Sequence, residues 1–198
     1  MVHTIGDSHA GGQPGLNNAF DKISGITPHW LGPRLMYSIS KEGIDLKALN
    51  ILEGDTIILC FGEIDCRCHV HKFADQQRYQ EIIDELVQSY FNLIQNLIHD
   101  LNVRVCVFNI LPPIKKGSVE ENRDFPFLGT DEERKSYVNY MNLRLKENCE
   151  INKILFIDIY DRYKTDDGFL KKELSDNSVH IANPIFLEDF LKKNNVIQ

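Results

Sequence analysis

The first twelve residues read MVHTIGDSHAGG, and a short apolar run within them, Val2 to Ile5, stops abruptly at Gly6. An acid, a hydroxyl and an imidazole then follow as Asp7, Ser8 and His9. Such a stretch is typical of a buried strand whose end turns into a loop. Two interpretations are open at this point. The turn is structural, since Asp and Ser favour turns, or it presents Ser8 as a nucleophile.

Four further apolar runs have the length and composition of strands that are buried on both faces of a sheet. They are rich in β-branched or aromatic residues and are bounded by turn residues, and the weakest of them contains a proline. In chain order these runs are Gly25 to Gly32, Thr56 to Phe61, Val103 to Leu111 and Ile154 to Ile159. Together with the first run they predict a five-stranded sheet.

Amphipathic stretches alternate with these runs and predict helices. The longest spans Tyr79 to Leu101, where apolar residues recur with a period close to 3.6 residues. A second covers Asp131 to Asn148 and begins with a capping-box pattern, in which Thr130 is followed by Glu133. Two shorter candidates cover Arg34 to Glu42 and Ile185 to Lys193.

The alternation of strands and helices predicts an α/β fold. We expect a mostly parallel five-stranded sheet with helices on both faces, which is a three-layer α/β/α sandwich. At 198 residues the chain is long enough for a sizeable core and is expected to form a single domain over 1–198.

The composition excludes several classes of protein. The formal net charge is −7, with 29 acidic and 22 basic residues, so nucleic acid is not expected as a partner. No apolar stretch approaches the ~20 residues of a membrane span, and the N-terminus does not read as a signal peptide. Five scattered cysteines suit a reducing compartment better than a disulfide framework. We therefore expect a cytoplasmic protein that does not act at a membrane.

Several reactive side chains fall at the carboxyl ends of the predicted strands, where open α/β sheets bind their ligands. Ser8 follows the first strand, Gly32 the second, and the run Gly62 to Asp65 the third. The run Asp176 to His180 precedes the last helix. A serine, a histidine, an acid and backbone N–H groups on one rim are what nucleophilic acyl transfer requires.

This arrangement resembles the SGNH hydrolases, which are also called GDSL-type hydrolases. The matching blocks, in chain order, are Gly6-Asp7-Ser8, Leu31-Gly32-Pro33, Gly62-Glu63-Ile64-Asp65 and Ser178-Val179-His180. The resemblance implies a flavodoxin-like three-layer sandwich, with Ser8 as the nucleophile and His180 as the general base. It also implies that the Gly32 N–H donates to the oxyanion.

Two further stretches resemble an atypical subset of SGNH-like proteins. They are FGEIDCR, at Phe61 to Arg67, and the segment Gly129 to Arg134. The subset is associated with glycans and surface polysaccharides, which implies a carbohydrate substrate.

The chain departs from the family pattern at two positions. Ile64 stands where the family has an asparagine that donates its amide to the oxyanion, and Arg67 is our candidate for a substitute cation. Loss of one such donor costs about 10²–10³ in rate, and the N–H groups of Ser8 and Gly32 remain as the predicted donors. The acid Asp176 lies four residues before His180 instead of three. Three alternatives stay open: Asp176 orients the imidazole, Asn177 does, or a backbone carbonyl supports a dyad of serine and histidine.

Further side chains near the nucleophile are expected to bind substrate or to brace the site. Asp7 is expected to cap neighbouring N–H groups, and His9 to line the pocket. We expect Asp65 and Arg67 to pair with each other beside the third strand. The remaining predicted substrate-binding residues are Glu63 and Asn177.

The run Cys66 to His71 contains two cysteines and two histidines, which are residue types that bind zinc. Structural zinc sites usually draw on two separated pairs, and alternate residues on so short a stretch do not readily supply four tetrahedral ligands. We therefore predict no metal site, with small buried cysteines and polar histidines in this run, and keep zinc binding as an alternative.

The predicted function is that of a serine esterase that removes an acetyl or other short acyl group from a carbohydrate or small ester, without a cofactor. The irregular segment Pro112 to Gly129 is expected to face the substrate, with Phe125-Pro126-Phe127 as an apolar wall. Exclusion of water by this segment would favour an alternative, acyl transfer to a glycan. A second alternative, which Ile64 favours, is a catalytically weak domain that binds glycan. The oligomeric state is left open.

Overall fold

The computed structural model describes residues 1–75 and 77–198. A sheet of five strands lies at its centre, and every neighbouring pair of these strands is parallel. All five predicted strands are confirmed, although some are shorter than the apolar runs that predicted them. They are β1 (Val2–Gly6), β2 (Ile26–Trp30), β3 (Thr56–Cys60), β4 (Arg104–Phe108) and β5 (Leu155–Ile157).

The α-helices are α1 (Met36–Glu42), α2 (Val70–Phe73), α3 (Tyr79–Leu101), α4 (Asp131–Asn152), α5 (Tyr160–Tyr163) and α6 (Ile185–Lys193). The four predicted helices are confirmed as α1, α3, α4 and α6, and the short helices α2 and α5 were not predicted. Thr130 and Glu133 form the expected capping box, but α4 continues past Asn148 and ends where Lys153 is left-handed, with φ 56°. A π-helical turn, Asp65–His69, leads into α2 and was not predicted. In the part of the chain that the structure describes, every helix is too short or too polar to cross a membrane.

Side chains of the sheet alternate between two cores. Along β3, Ile57 and Leu59 pack on one face, and Ile58 and Cys60 pack on the other. The first face is covered by α1, α3 and α4, and the second by α5, α6 and the loops beside them. The predicted three-layer α/β/α sandwich is therefore confirmed.

The strand order is β2-β1-β3-β4-β5, so the direction of winding reverses between β1 and β3. Sheets of this flavodoxin-like order bind ligands in the crevice at such a switch point, outside the carboxyl ends of the strands. Ser8 follows β1 and Glu63 follows β3, while β2 on the other side of β1 leads into Gly32. The topology thus collects the predicted reactive residues at one edge of the sheet.

All five cysteines, Cys60, Cys66, Cys68, Cys106 and Cys149, are free and buried. Burial raises the pKa of the Cys60 and Cys66 thiols well above their ordinary value. Buried thiols with a raised pKa are poor nucleophiles and poor metal ligands, so these side chains act as small apolar groups in the core.

Candidate active site

A tight turn follows β1, and the residues that form it, Gly6, Asp7 and Ser8, suit their positions. Gly6 runs so close to β3 that a Cβ atom there would lie 2.1 Å from a backbone oxygen. The Asp7 carboxylate then accepts the backbone N–H of His9 at 2.9 Å and caps a single helical turn that begins at Ser8. Asp7 therefore caps this turn, as the sequence predicted, and the turn holds Ser8 at the rim of the sheet.

Ser8, His180 and Asp176 form one chain of hydrogen bonds. The Oγ atom of Ser8 lies 2.7 Å from Nε2 of His180, and Nδ1 of His180 lies 2.8 Å from Oδ2 of Asp176. The other carboxylate oxygen of Asp176 accepts the backbone N–H of Ser178 at 2.8 Å and that of His180 at 3.3 Å. The carboxylate is thereby fixed on both sides, and it fixes the plane of the imidazole.

The electrostatic setting favours a neutral His180 next to an ionised Asp176. Burial lowers the pKa of His180, and the nearby His9 adds to this, against the raising effect of Asp176. Burial alone would raise the pKa of Asp176, but its hydrogen bonds with the His180 ring and with two backbone N–H groups outweigh this and lower it. His180 can therefore carry its proton on Nδ1 and offer a lone pair on Nε2 to the Ser8 hydroxyl.

The extra residue between Asp176 and His180 is accommodated at Asn177. Its φ of 66° is left-handed, which asparagine tolerates better than most residues, and it is exposed at the tip of the loop. The loop closes through a hydrogen bond of 3.1 Å from the backbone N–H of Asp176 to the carbonyl of His180. Because the Asp176 carboxylate itself faces the imidazole, the structure favours Asp176 over Asn177 as the orienting group.

The backbone N–H groups of Ser8 and Gly32, at the rim, have no acceptor among the described residues. Gly32 follows β2, which pairs with β1 in a register that sets Trp30 opposite Gly6. The φ of Gly32 is 83°, and the space where a side chain would stand is open. The same two N–H groups are the predicted oxyanion donors, and their role stays a prediction.

A cavity of about 250 Å³ opens beside the Ser8 hydroxyl. Its walls include Trp30 from β2 and Ile64 from the segment after β3, together with Phe125 and Phe127 from the irregular segment Pro112 to Gly129. That segment therefore lines the cavity beside Ser8, and its contact with a substrate stays a prediction. Ile64 borders the cavity as an apolar wall and has no side-chain group that can donate to an oxyanion.

Arg67 also lines this cavity, but it pairs with Glu63. Nε of Arg67 lies 3.0 Å from Oε1 of Glu63, in an ionic contact without hydrogen-bond alignment, and both side chains are mostly buried. Nη1 of Arg67 donates to the carbonyl of Phe125 at 3.1 Å. Arg67 therefore joins the segment after β3 to the wall of the cavity, and its predicted part as a substitute cation stays a prediction.

Asp65 does not pair with Arg67, and that prediction is wrong. The Asp65 carboxylate is fully buried and accepts the N–H groups of Met36 at 2.6 Å and Tyr37 at 3.2 Å, which caps α1. The helix needs this cap because Leu35 at its N-cap position offers no side-chain acceptor. Burial raises the pKa of Asp65 to about 7 against the opposing effect of these hydrogen bonds. Asp65 is a structural residue and cannot touch substrate in the cavity.

Arg134, which was not among the predicted site residues, anchors the end of the same cavity wall. It is 2% exposed and donates to the carbonyls of Leu128 at 3.1 Å and Gly129 at 2.8 Å. The Phe127 ring contacts two guanidinium groups, with the central carbons of Arg67 and Arg134 lying 5.2 and 5.3 Å from the ring centre. The sequence signal that could have identified Arg134 is the segment Gly129 to Arg134.

The side chains of the run Cys66 to His71 point to different neighbours. Sγ of Cys66 approaches Met141, while Nδ1 of His71 lies 3.1 Å from the Tyr137 hydroxyl. The His69 ring contacts that of Tyr37 at 4.7 Å between centres, tilted by 32°, in a separate cavity of about 490 Å³ between α1 and α3. That cavity has a larger volume than the one beside Ser8, but among the described residues its lining includes no hydroxyl that is hydrogen-bonded to a histidine or an acid. Within residues 1–75 and 77–198, no three His, Cys, Asp or Glu side chains are placed to hold a metal ion.

Solved structures of hydrolases share this architecture. A Bacteroides fragilis protein that is provisionally named an acylhydrolase matches with a TM-score of 0.66 at 17% identity, over 100% of this chain and 88% of its own. A GDSL-like lipase from Bacteroides thetaiotaomicron matches with a TM-score of 0.65 at 15% identity, over 99% of this chain and 88% of its own. A catalytic mutant of an acetylxylan esterase from Geobacillus stearothermophilus matches with a TM-score of 0.56 at 14% identity, over 100% of this chain and 94% of its own. No protein-family model and no curated protein matches the sequence.

At these identities the likeness shows the fold. The chain has the three-layer α/β/α fold that GDSL-type hydrolases have.

Proposed function

We propose that this protein is a serine esterase of the SGNH type. The observation that carries the proposal is the hydrogen-bonded chain of Ser8, His180 and Asp176 beside an open cavity, with distances of 2.7 and 2.8 Å. A nucleophile and its base must lie within about 2.6–3.2 Å of each other, and the base must be oriented by a third group. A capping or packing role for Ser8 would require neither arrangement.

In the first half of the reaction, Oγ of Ser8 attacks the ester carbonyl carbon and its proton passes to Nε2 of His180. The carbonyl oxygen becomes an oxyanion, which accepts hydrogen bonds from the N–H groups of Ser8 and Gly32. The ionised Asp176 stabilises the imidazolium that forms. The carbon–oxygen bond to the alcohol then breaks, and the alcohol oxygen takes the proton from His180.

In the second half, water attacks the acyl-serine ester while His180 accepts one of its protons. The bond to Oγ breaks, the proton returns to Ser8, and a carboxylic acid leaves. The overall reaction consumes one ester and one water molecule and needs no redox or metal chemistry. An acceptor sugar in place of water would give acyl transfer by the same steps.

We propose an acetyl or other short acyl ester of a carbohydrate as the substrate. The cavity of about 250 Å³ is smaller than the range of about 300–1,000 Å³ typical of drug-sized ligands, which favours a short acyl group. Gln13 and Asn122 on its wall offer hydrogen bonds to hydroxyl groups, and Trp30 offers an aromatic ring that is 38% exposed. An acetylxylan esterase among the structural neighbours supports the same class.

The test is hydrolysis of p-nitrophenyl esters from acetyl to octanoyl, and of acetylated oligosaccharides, by the wild type and Ser8→Ala. Ser136→Ala is the matched control, because its hydroxyl only donates to a carbonyl on the exposed face of α4. We expect turnover that is highest for short chains, is lost in Ser8→Ala and is kept in Ser136→Ala. Turnover that persists in Ser8→Ala would contradict the proposal. Glycan binding that survives this substitution, without turnover by the wild type, would instead favour a weak glycan-binding domain, for which Ile64 argues.

A further inference from the structure

His9 lies directly behind the reactive histidine. Its side chain is 6% exposed, and its ring centre is 4.7 Å from that of His180, with the two planes tilted by 49°. His9 is the residue after Ser8, but its side chain makes no hydrogen bond to the Ser8 hydroxyl, whose partner is His180. The steps of ester hydrolysis described above give this buried imidazole no part.

Both nitrogens of the His9 ring face oxygen acceptors. Nδ1 lies 3.0 Å from Oδ1 of Asp7, and Nε2 lies 3.3 Å from the backbone carbonyl of Val179. A carbonyl oxygen and an ionised carboxylate can accept hydrogen bonds but cannot donate them. A neutral imidazole has one N–H and would turn a lone pair toward one of these oxygens. The geometry is satisfied on both sides only when the ring carries two protons and a positive charge.

The carboxylates around His9 favour this cation. Asp7 faces it from the turn after β1 and Glu63 from the segment after β3, whereas Arg67 in that same segment opposes it. His180 faces it from the loop before α6. Burial acts to lower the pKa of His9, but the ion pair and hydrogen bond with Asp7 outweigh it, and the pKa is raised.

Two carboxylate oxygens near the ring still have lone pairs free to accept hydrogen bonds. Oδ2 of Asp7 and Oε2 of Glu63 are buried and have no hydrogen-bond partner among the described residues. Both residues border a small cavity of about 10 Å³ that His9 also lines. Glu63 already pairs with Arg67, and the fully buried Asp7 pairs with His9. A buried carboxylate without a charged partner is costly, so His9 has an electrostatic reason to keep its second proton.

We propose that His9 is a positioning residue for the reaction: as a doubly protonated cation it ties Asp7 to the backbone carbonyl of Val179 and so holds His180 against Ser8. Val179 directly precedes His180, so a hydrogen bond to its carbonyl fixes the backbone from which the reactive imidazole projects. The positive charge of His9 also disfavours a second charge on His180 and keeps that base neutral to lower pH. This inference rests on the proposed esterase function.

The charge of His9 can be measured without any turnover. Nitrogen chemical shifts of the ¹⁵N-labelled imidazoles, recorded on the wild type from pH 5 to 9, distinguish a ring with two N–H groups from a neutral one. Comparison with the spectrum of His9→Gln assigns the signals. We expect both nitrogens of His9 to remain protonated at pH 7 and His180 to carry one proton. A singly protonated His9 at pH 7 would overturn the inference.

Two variants separate the tether from the charge. In His9→Gln, the amide can still donate to the Val179 carbonyl, but the positive charge is lost and Asp7 is left unopposed. We expect kcat to fall less than about tenfold, while the acid limb of kcat/KM moves up by about one pH unit. His9→Phe removes the tether as well, and we expect kcat to fall about 10²-fold with little change in KM.

A residue that only fills space would give another result: in both variants the acid limb would stay where it is, and kcat would follow thermal stability alone. That outcome would overturn the inference even if His9→Phe folds poorly, because His9→Gln and the nitrogen shifts decide it independently. The two proposals also fail differently. Ser8-dependent turnover with a neutral His9 would overturn only the role of His9, whereas a wild type without such turnover would overturn the esterase and with it this role.

Discussion

Asp176→Asn tests the orientation of His180 most directly, because it removes a charge while keeping the size of the side chain. Oδ1 of Asp176 accepts two backbone N–H groups, and Oδ2 faces Nδ1 of the imidazole. An asparagine has a single carboxamide oxygen, which the two backbone donors occupy. Its NH₂ group must then face Nδ1, so this nitrogen becomes an acceptor and the ring proton moves to Nε2.

With Nε2 protonated, His180 has no lone pair for the Ser8 proton. An acid-to-amide change at the corresponding position of a Ser-His-Asp triad lowers kcat by about 10⁴. At about 1.4 kcal/mol for each factor of ten, this equals a loss of about 5.5 kcal/mol in transition-state stabilisation. We expect a loss of that size for the best p-nitrophenyl ester. Because the carboxylate does not line the substrate cavity, KM should change by no more than about threefold.

Asn177→Gly is the matched control for this variant. Glycine accepts the left-handed backbone at position 177, and the exposed asparagine side chain does not touch the imidazole, so kcat should stay within about twofold of the wild type. Thermal unfolding of both variants checks that the fold is kept. A kcat of Asp176→Asn within tenfold of the wild type would refute the orientation argument and favour a dyad of Ser8 and His180.

Three further outcomes are expected. Ile64→Asn adds an amide donor to the cavity wall and should raise kcat by up to about 10²-fold in the ester assay; an unchanged kcat would show that this position does not reach the oxyanion. Asp65→Asn should flatten the pH dependence of the free energy of unfolding between pH 5 and 8, measured in urea. The pKa of Asp65 is raised from 3.8 to about 7 in the folded state, so in the wild type its stabilising contribution is complete below 3.8, falls as the pH rises and is lost above about 7. Arg134→Met should lower the free energy of unfolding by about 3 kcal/mol, because the Leu128 and Gly129 carbonyls lose charged donors; an unchanged denaturation midpoint would contradict this.

The fold could be predicted because its signals are local. Thr56 to Phe61 is apolar throughout and is bounded by turn residues, which is the pattern of a strand covered on both faces, and β3 is such a strand. The end of α4 was harder to predict. Nothing at Asn148 stops the helix, which ends only at the left-handed Lys153, and lysine is not a residue type that signals a helix end in this conformation.

The site could be predicted only where its motifs carry chemistry. Ser8 and His180 stand in blocks with a known order, and the structure brings them within 2.7 Å. The pairing of Asp65 with Arg67 failed because closeness in sequence was taken for closeness in space. The carboxylate is instead used by Met36 on α1, which is 29 residues away in sequence. Which buried acid a helix end needs depends on tertiary packing, and the sequence around Asp65 has no information on it.

The hydrogen bond between Ser8 and His180 joins residues that are 172 positions apart in the chain. Contacts of such sequence separation are slow to form, because the loop between them must be closed before the contact contributes any stability. The helices α3 and α4 depend mainly on short-range contacts, so the circular dichroism signal of helix can develop earlier during refolding. The rate at which Ser8 regains reactivity toward a serine-directed phosphonate during refolding would therefore report the last folding step, in which Ser8 and His180 come into contact.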